Sequence, residues 1–235
     1  MAHGLLKISQ LMNDKFEILN KFKGFGNPKG DFWFVGLEEA QEITTDNIDN
    51  ILRIYDNEVL PTKSREIKET ADRLGNRFTK VYDIMSKIII GDIDGNGWKH
   101  YRDNSLLKAD SNEFQMNLFP LGKSKLSNWP KHYNELFSIT STEDYIEHVK
   151  RTRFKILNDF WNKFRPRITI CFGLSFLNEF KEVFKLYDTE EILFKEDKIF
   201  FYPKHRILIT PFFDYRQMKS KGLMKSIEII KALRK

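Results

Sequence analysis

Two adjacent carboxylates, Glu38 and Glu39, stand just past the apolar run Phe32-Trp33-Phe34-Val35, separated from it by Gly36 and Leu37. A short apolar run bounded by turn residues reads as a strand buried on both faces. In an open α/β sheet, ligands sit outside the carboxyl ends of such strands. An acid held there can align water or stabilise positive charge developing on a substrate, provided a second group tunes its proton affinity. Asn117 is the next candidate, because it interrupts the apolar stretch 114–122. A buried amide must satisfy both its carbonyl and its NH2 group, and that same donor–acceptor pair can read the edge of a planar base. The third is Thr210-Pro-Phe-Phe-Asp-Tyr-Arg, which ends the last apolar run and leads to Lys219 and Lys221. Aromatic rings interleaved with positive charge suit a phosphate backbone and a stacked base. Each feature also has a plainer reading. Acids favour helix starts, a buried Asn can bond to backbone, and the two phenylalanines can simply belong to the core.

Other chemistries find less support. Asp92, Asp94, Asn96, Gly97 and Asp103 copy the spacing of a calcium loop, but Lys99 replaces its apolar closing residue and Asp103 its bidentate Glu. A Gly/Asn/Asp turn is the simpler expectation. The five histidines show no metal-ligand spacing, and a lone Cys171 excludes an internal disulfide and any cysteine-built zinc or iron–sulfur site. No glycine-rich phosphate loop occurs, so neither a metal nor a nucleotide cofactor is expected. The net charge of +6 is compatible with a polyanionic partner. Beyond Lys219 the chain carries a single acid, Glu228.

The elements that must position these residues can be read from periodicity. Helical spacing over 5–23 is stopped by Gly24 and Gly26, and helices are expected over 46–57, 64–90, 175–184 and 221–234. A longer one over 143–164 can be capped by Thr142. Strands are expected at 32–36, 114–122, 167–173, 199–203 and 206–213, with 91–112 a polar loop. Strands alternating with helices predict a single α/β domain over 1–235, a three-layer α/β/α arrangement with a central, mostly parallel sheet of four to five strands and a helical extension at 1–29. No run of 18 apolar residues predicts a membrane span. The first ten residues lack the apolar core of a secretory signal, so a cytoplasmic setting and a monomer are expected.

The order of these motifs resembles that of the uracil-DNA glycosylase superfamily over residues 30–235. That resemblance implies a monofunctional DNA glycosylase, which flips a pyrimidine out of the DNA and hydrolyses its N-glycosidic bond to leave an abasic site. Gly36-Leu-Glu-Glu-Ala then stands where the family has its water-activating Gly-Gln-Asp-Pro-Tyr. Glu38 is the catalytic acid and Glu39, in place of the proline, its second. Leu37, Ala40, Asn117 and Phe119 line the base pocket, Asn117 pairing with the extruded base. Thr210-Pro-Phe resembles the family's His-Pro-Ser motif without its histidine. Thr210, Tyr215, Arg216, Lys219 and Lys221 contact DNA. Ala40 stands where uracil-specific members place a tyrosine that blocks substituents at carbon 5. Its methyl group leaves room for a bulkier 5-modified cytosine of the kind found in phage DNA, so the excised base is expected to be uracil or such a cytosine, in repair or in antiviral defence. The missing histidine favours a second possibility, a non-catalytic nucleic-acid-binding or interaction protein on a glycosylase-like fold.

Overall fold

A computed structural model describes residues 14–38, 42–60, 80–123 and 129–234 of the chain. The chain gathers into two compact units. The first comprises Met1–Gly24, Leu37–Leu60 and Asn117–Phe160, the second Phe25–Gly36, Pro61–Met116 and Trp161–Lys235. In chain order the elements are α1 (Asp14–Lys21), β1 (Gly24–Gly26), β2 (Phe32–Gly36), α2 (Ile48–Tyr55), β3 (Val59–Leu60), α3 (Lys80–Ile90), α4 (Gly97–Asn104) and β4 (Glu113–Asn117). There follow α5 (His132–Phe137), α6 (Thr142–Phe164), β5 (Ile168–Phe172), a 3-10 turn at Leu174–Phe176, α7 (Leu177–Val183), β6 (Ile192–Phe194), β7 (Ile199–Tyr202), β8 (Ile207–Thr210) and α8 (Ser220–Arg234).

Among the described residues the strands form one mixed sheet of eight, in the order β3-β1-β4-β2-β5-β8-β7-β6. Its centre is parallel: Phe32 to Val35 pair with Ile168 to Cys171, and Thr169 to Phe172 with Ile207 to Thr210. β4 runs beside β2 in the same direction. The Phe32 N–H donates to the Asn112 carbonyl at 3.1 Å before the strands, and the Phe119 N–H to the Leu37 carbonyl at 2.8 Å beyond them. Antiparallel strands flank this centre, β1 on β4 at one side and β7 then β6 on β8 at the other.

The sheet is therefore larger and more mixed than the four to five mostly parallel strands expected. Only residues 203–206 separate β7 from β8, enough for a hairpin and far short of a parallel crossover. β1, β3 and β6 have three, two and three residues, too few for an alternation pattern to register. Gly24 and Gly26, which read as a helix stop, belong to β1. Gly26 sits at φ +91°, and a Cβ there would lie 2.7 Å from the Glu113 carbonyl oxygen.

Helices cover both faces of the central strands. Successive residues of a strand point to opposite faces. Trp33 meets Phe164 of α6 with ring centroids 6.1 Å apart, whereas Phe32 lies 4.6 Å beneath the Arg234 guanidinium of α8. α8 buries Leu223, Ile227 and Ile230, and Arg167 donates to the carbonyls of Leu233 and Arg234, satisfying the helix C-terminus. Two expectations need correction. The stretch 91–112 is not all loop, because α4 buries Trp98 and Arg102 one turn apart, with the Arg102 guanidinium paired to Asp83 at 2.6 Å and to Asp103 at 2.7 Å. The α6 cap is Ser141 rather than Thr142: the Asp144 N–H donates to Ser141 Oγ at 3.1 Å while that hydroxyl donates to the Asp144 carboxylate at 2.8 Å.

Within the first unit, α6 contributes Arg153, 2% exposed. Its Nε donates to the Leu118 carbonyl at 2.9 Å and Nη2 to that of Asn117 at 2.9 Å, while Nη1 donates to those of Asn20 at 2.5 Å and Phe22 at 2.7 Å. One guanidinium thus ties the end of α1 to the exit of β4. Burial pulls it down to about 10, so it remains a cation at neutral pH. Replacing it strands several buried carbonyls, each worth about 1–3 kcal/mol. Arg153→Met is expected to cost at least about 3 kcal/mol in urea unfolding. Lys155→Ala, which removes an exposed pair to Asp159 on the same helix, should change stability by less than about 0.5 kcal/mol.

Candidate functional site

β2, β5 and β8 are parallel and in register, so their carboxyl ends lie along one edge of the sheet. Leu37 and Glu38 follow β2 directly and belong to the first unit. The polypeptide that faces Glu38 is the segment leaving β4, and it is fixed residue by residue. Arg153 holds the carbonyls of Asn117 and Leu118. The Phe119 N–H reaches the Leu37 carbonyl. The Leu121 N–H donates to Tyr145 Oη at 2.9 Å, and the Tyr133 hydroxyl donates to the Gly122 carbonyl. Tyr133 Oη also accepts from the Ile43 N–H at 3.0 Å. Trp129 packs against both tyrosines, its ring centroid 5.4 Å from each.

These bonds deliver Lys123 to Glu38. Its Nζ lies 3.6 Å from Glu38 Oε2, and the two side chains are 4% and 7% exposed. The ammonium also lies 5.7 Å from the centroid of the Tyr145 ring. Burial pushes the Glu38 carboxyl up to about 7, and the Lys123 charge opposes it without winning. The Tyr133 and Tyr145 hydroxyls are raised by burial, with the Glu38 charge adding to it, so both stay protonated. The result is a carboxyl that exchanges a proton near neutral pH beside a held ammonium, the condition for general acid–base work.

The other expected site residues fall as follows. Asn117 is the last residue of β4, half-buried, because the strand ends there instead of running to 122. Leu37 is buried, and Phe119 is a core ring against Tyr145 and Phe154 at 5.9 and 6.0 Å. Leu37, Glu38, Asn117 and Phe119 all belong to the first unit. Glu39 and Ala40 lie outside the described residues.

Thr210, Tyr215, Arg216, Lys219 and Lys221 belong to the second unit. Thr210 is fully buried, its hydroxyl shared between the carbonyls of Cys171 at 3.2 Å and Pro211 at 3.0 Å. Phe213 stacks on Phe172 with centroids 4.4 Å apart. Tyr215 is 41% exposed, and its Oη accepts from Lys87 Nζ at 3.1 Å. Arg216 pairs with Asp214 at 3.2 Å, and Lys221 pairs with Glu196. The loop lines a cleft of about 430 Å³, to which Lys198, Arg216 and Lys219 bring positive charge and Glu196 and Asp197 negative. In the calcium-like stretch, Asp92 Oδ1 accepts the backbone N–H groups of Asp94 and Gly95, and Asp103 is taken by Arg102.

Lys123, Tyr133 and Tyr145 escaped sequence reasoning. No periodicity marks a lysine 85 positions from its partner, and a tyrosine on an amphipathic helix reads as core.

Residues 50–156 match the model of a family described as one of unknown function, DUF6942. The match takes in under half of the chain, including Asn117, Lys123, Tyr133, Tyr145 and Arg153, and leaves out Glu38. No curated protein matches the chain. Among the described residues, no helix is long and apolar enough to cross a membrane.

The raised Glu38 carboxyl sets a stability signature. Between the ordinary value of 4.5 and about 7, the folded chain holds a proton that the unfolded chain releases. Stability therefore falls as pH rises through that window, by on the order of 3 kcal/mol at its full extent. Urea unfolding at pH 4.5 and pH 8 should show wild type losing about that much more than Glu38→Gln. In Lys123→Met the opposing charge is gone, so a carboxyl NMR titration should place Glu38 above its wild-type midpoint.

Proposed function

We propose that this protein is a DNA glycosylase, hydrolysing the N-glycosidic bond of a flipped pyrimidine nucleotide with Glu38 as the catalytic carboxylate. The observation that supports this reading is the buried Glu38–Lys123 pair just past the carboxyl end of β2, with Asn117 at the end of the neighbouring strand. The target nucleotide leaves the stack at a cost of a few kcal/mol. Asn117 offers its amide to the base edge. The glycosidic bond loosens through an oxocarbenium-like sugar, whose positive charge the ionised Glu38 stabilises while aligning water, with Glu39 as its second. Lys123 favours the ionised form of Glu38. Because the Thr210 hydroxyl is committed to backbone, stabilisation of the departing base falls to other donors. Ala40 makes a 5-modified cytosine the preferred base, and with it a role in excising bases from foreign DNA. Tyr215, Arg216, Lys219 and Lys221 serve DNA as the partner, the protein acting as a monomer.

The absence of the histidine at Thr210-Pro-Phe favours one other possibility, a non-catalytic nucleic-acid-binding protein in which the buried pair is structural. Oligonucleotides carrying uracil, thymine, 5-hydroxymethylcytosine or glucosylated cytosine, followed by alkali, separate the two. A glycosylase leaves alkali-labile breaks, with kcat/KM rising through about pH 7 as Glu38 ionises, and Glu38→Gln lowers the rate by about 10²–10⁴-fold while DNA binding persists. Cleavage by Glu38→Gln at the wild-type rate would overturn the assignment. Activity confined to uracil would overturn the larger pocket.

A further inference from the structure

We propose that the second unit binds single-stranded DNA, with phosphates held by Lys198, Arg216 and Lys219 in the cleft past β5 and β8, and a base stacked on Tyr215. This rests on the reading of DNA as the partner. It adds the strandedness of that partner and the residues of α3 and α4 that hold the stacking ring.

Three observations carry it. The first is the place of the cleft. Leu174 and Pro211 line it just past the last residues of β5 and β8, two parallel strands in register, and an open sheet takes its ligands outside such ends. The second is which charges are left over. Glu196 is taken by Lys221, and Asp197 lies against Gly222 in the first turn of α8, where an acid is favoured. Asp214 pairs with Arg216 at 3.2 Å, but the Arg216 side chain is 86% exposed, so that pair is weak enough to open toward a phosphate. Among the described residues no carboxylate closes on Lys198 or Lys219, both in the cleft. The third is the ring. Tyr215 is 41% exposed beside Arg216, yet Lys87 of α3 donates to its hydroxyl at 3.1 Å. That ammonium lies 5.0 Å from the Tyr215 centroid and 4.5 Å from the centroid of Trp98, a buried ring of α4. Lys99 brings a second ammonium to Trp98 at 5.5 Å.

An exposed ring fixed among cations is what a base stacks on while its phosphate is neutralised nearby. Because Lys87 and Trp98 already order Tyr215, stacking does not have to immobilise it first. A duplex cannot use the ring, since its base faces are covered by their neighbours, whereas a single strand presents them. The Lys87 charge is shared with two rings and adds to the positive field that a phosphate meets at the mouth of the cleft.

The test titrates a labelled thymidine oligonucleotide of about 15 residues, alone or as a blunt duplex, by fluorescence anisotropy. Wild type should bind the single strand at least about tenfold more tightly than the duplex. Tyr215→Ala should weaken single-strand binding about five- to hundredfold, the loss of one stacked base, while Tyr215→Phe, which keeps the ring, should stay within about threefold of wild type. Titrations between about 50 and about 200 mM salt should show Lys198→Ala and Lys219→Ala each lowering the salt slope by about 0.7, with melting midpoints as in wild type. Equal or tighter binding of the duplex, wild-type affinity in Tyr215→Ala, or a salt slope unchanged in both lysine variants overturns the proposal. Base release from an oligonucleotide carrying the modified base is measured in parallel. Release without a single-strand preference overturns this proposal alone, whereas single-strand binding without release supports it and overturns the glycosylase reading.

Discussion

A charged guanidinium with no carboxylate partner among the described residues organises the first unit. Arg153 is 2% exposed and spends its donors on four main-chain carbonyls. Taking such an ion out of water costs several kcal/mol. What offsets that cost is the use of four of its five N–H donors on groups that would otherwise be buried without partners. Two of those carbonyls, Asn117 and Leu118, mark the point where β4 ends and the chain turns toward Glu38. The helix carrying Arg153 thus fixes the start of the segment carrying Lys123. Leu118 to Gly122 then meet Leu37, Tyr145 and Tyr133 in sequence, a backbone ladder continued by side chains once the strand has run out.

The fold was legible where periodicity was long and the chain buried. β2, β5 and β8 lie where apolar runs placed them, and α2, α6 and α8 fall within a residue or two of their expected bounds. What was not legible is short or context-made. Three-residue strands carry no alternation, and the polar surface of α4 hides the burial of Trp98 and Arg102. Hairpin against crossover was readable in principle, because four residues between β7 and β8 allow only the former. For the candidate site, Glu38 was singled out because acids after a buried strand have a topological address. Lys123 has none: it becomes a partner only after Arg153, Tyr133 and Tyr145 have folded the loop, a relation between residues far apart in sequence.

Two other carboxylates, exposed Glu191 and buried Glu113, show why Glu38 stands apart. Glu191 meets Lys181 at 2.8 Å and the Tyr202 hydroxyl, and although burial raises its carboxyl, those hydrogen bonds win and hold it low. Glu113 is raised by burial even though the Tyr101 hydroxyl and the Leu107 N–H both donate to it at 2.5 Å. A raised carboxyl therefore does not by itself mark a site; Glu113 is a satisfied strut between α4 and β4. Glu38 combines burial with a single long ion pair and a position past the end of a parallel strand.

That combination has an energetic consequence. A buried pair optimised for stability closes to hydrogen-bond distance and fills its remaining lone pairs, as the Arg102 pair does with two carboxylates. At 3.6 Å the Glu38–Lys123 pair forgoes part of its Coulomb attraction while both groups stay out of water. The unit supports this deficit from elsewhere, through the satisfied Arg153 network and the tyrosine hydroxyls that tie down the loop. A carboxyl and an ammonium held out of water at that distance contribute little to folding. The helix fixed by Arg153 and the loop held by Tyr133 and Tyr145 then offset the cost of keeping this carboxyl and ammonium out of water.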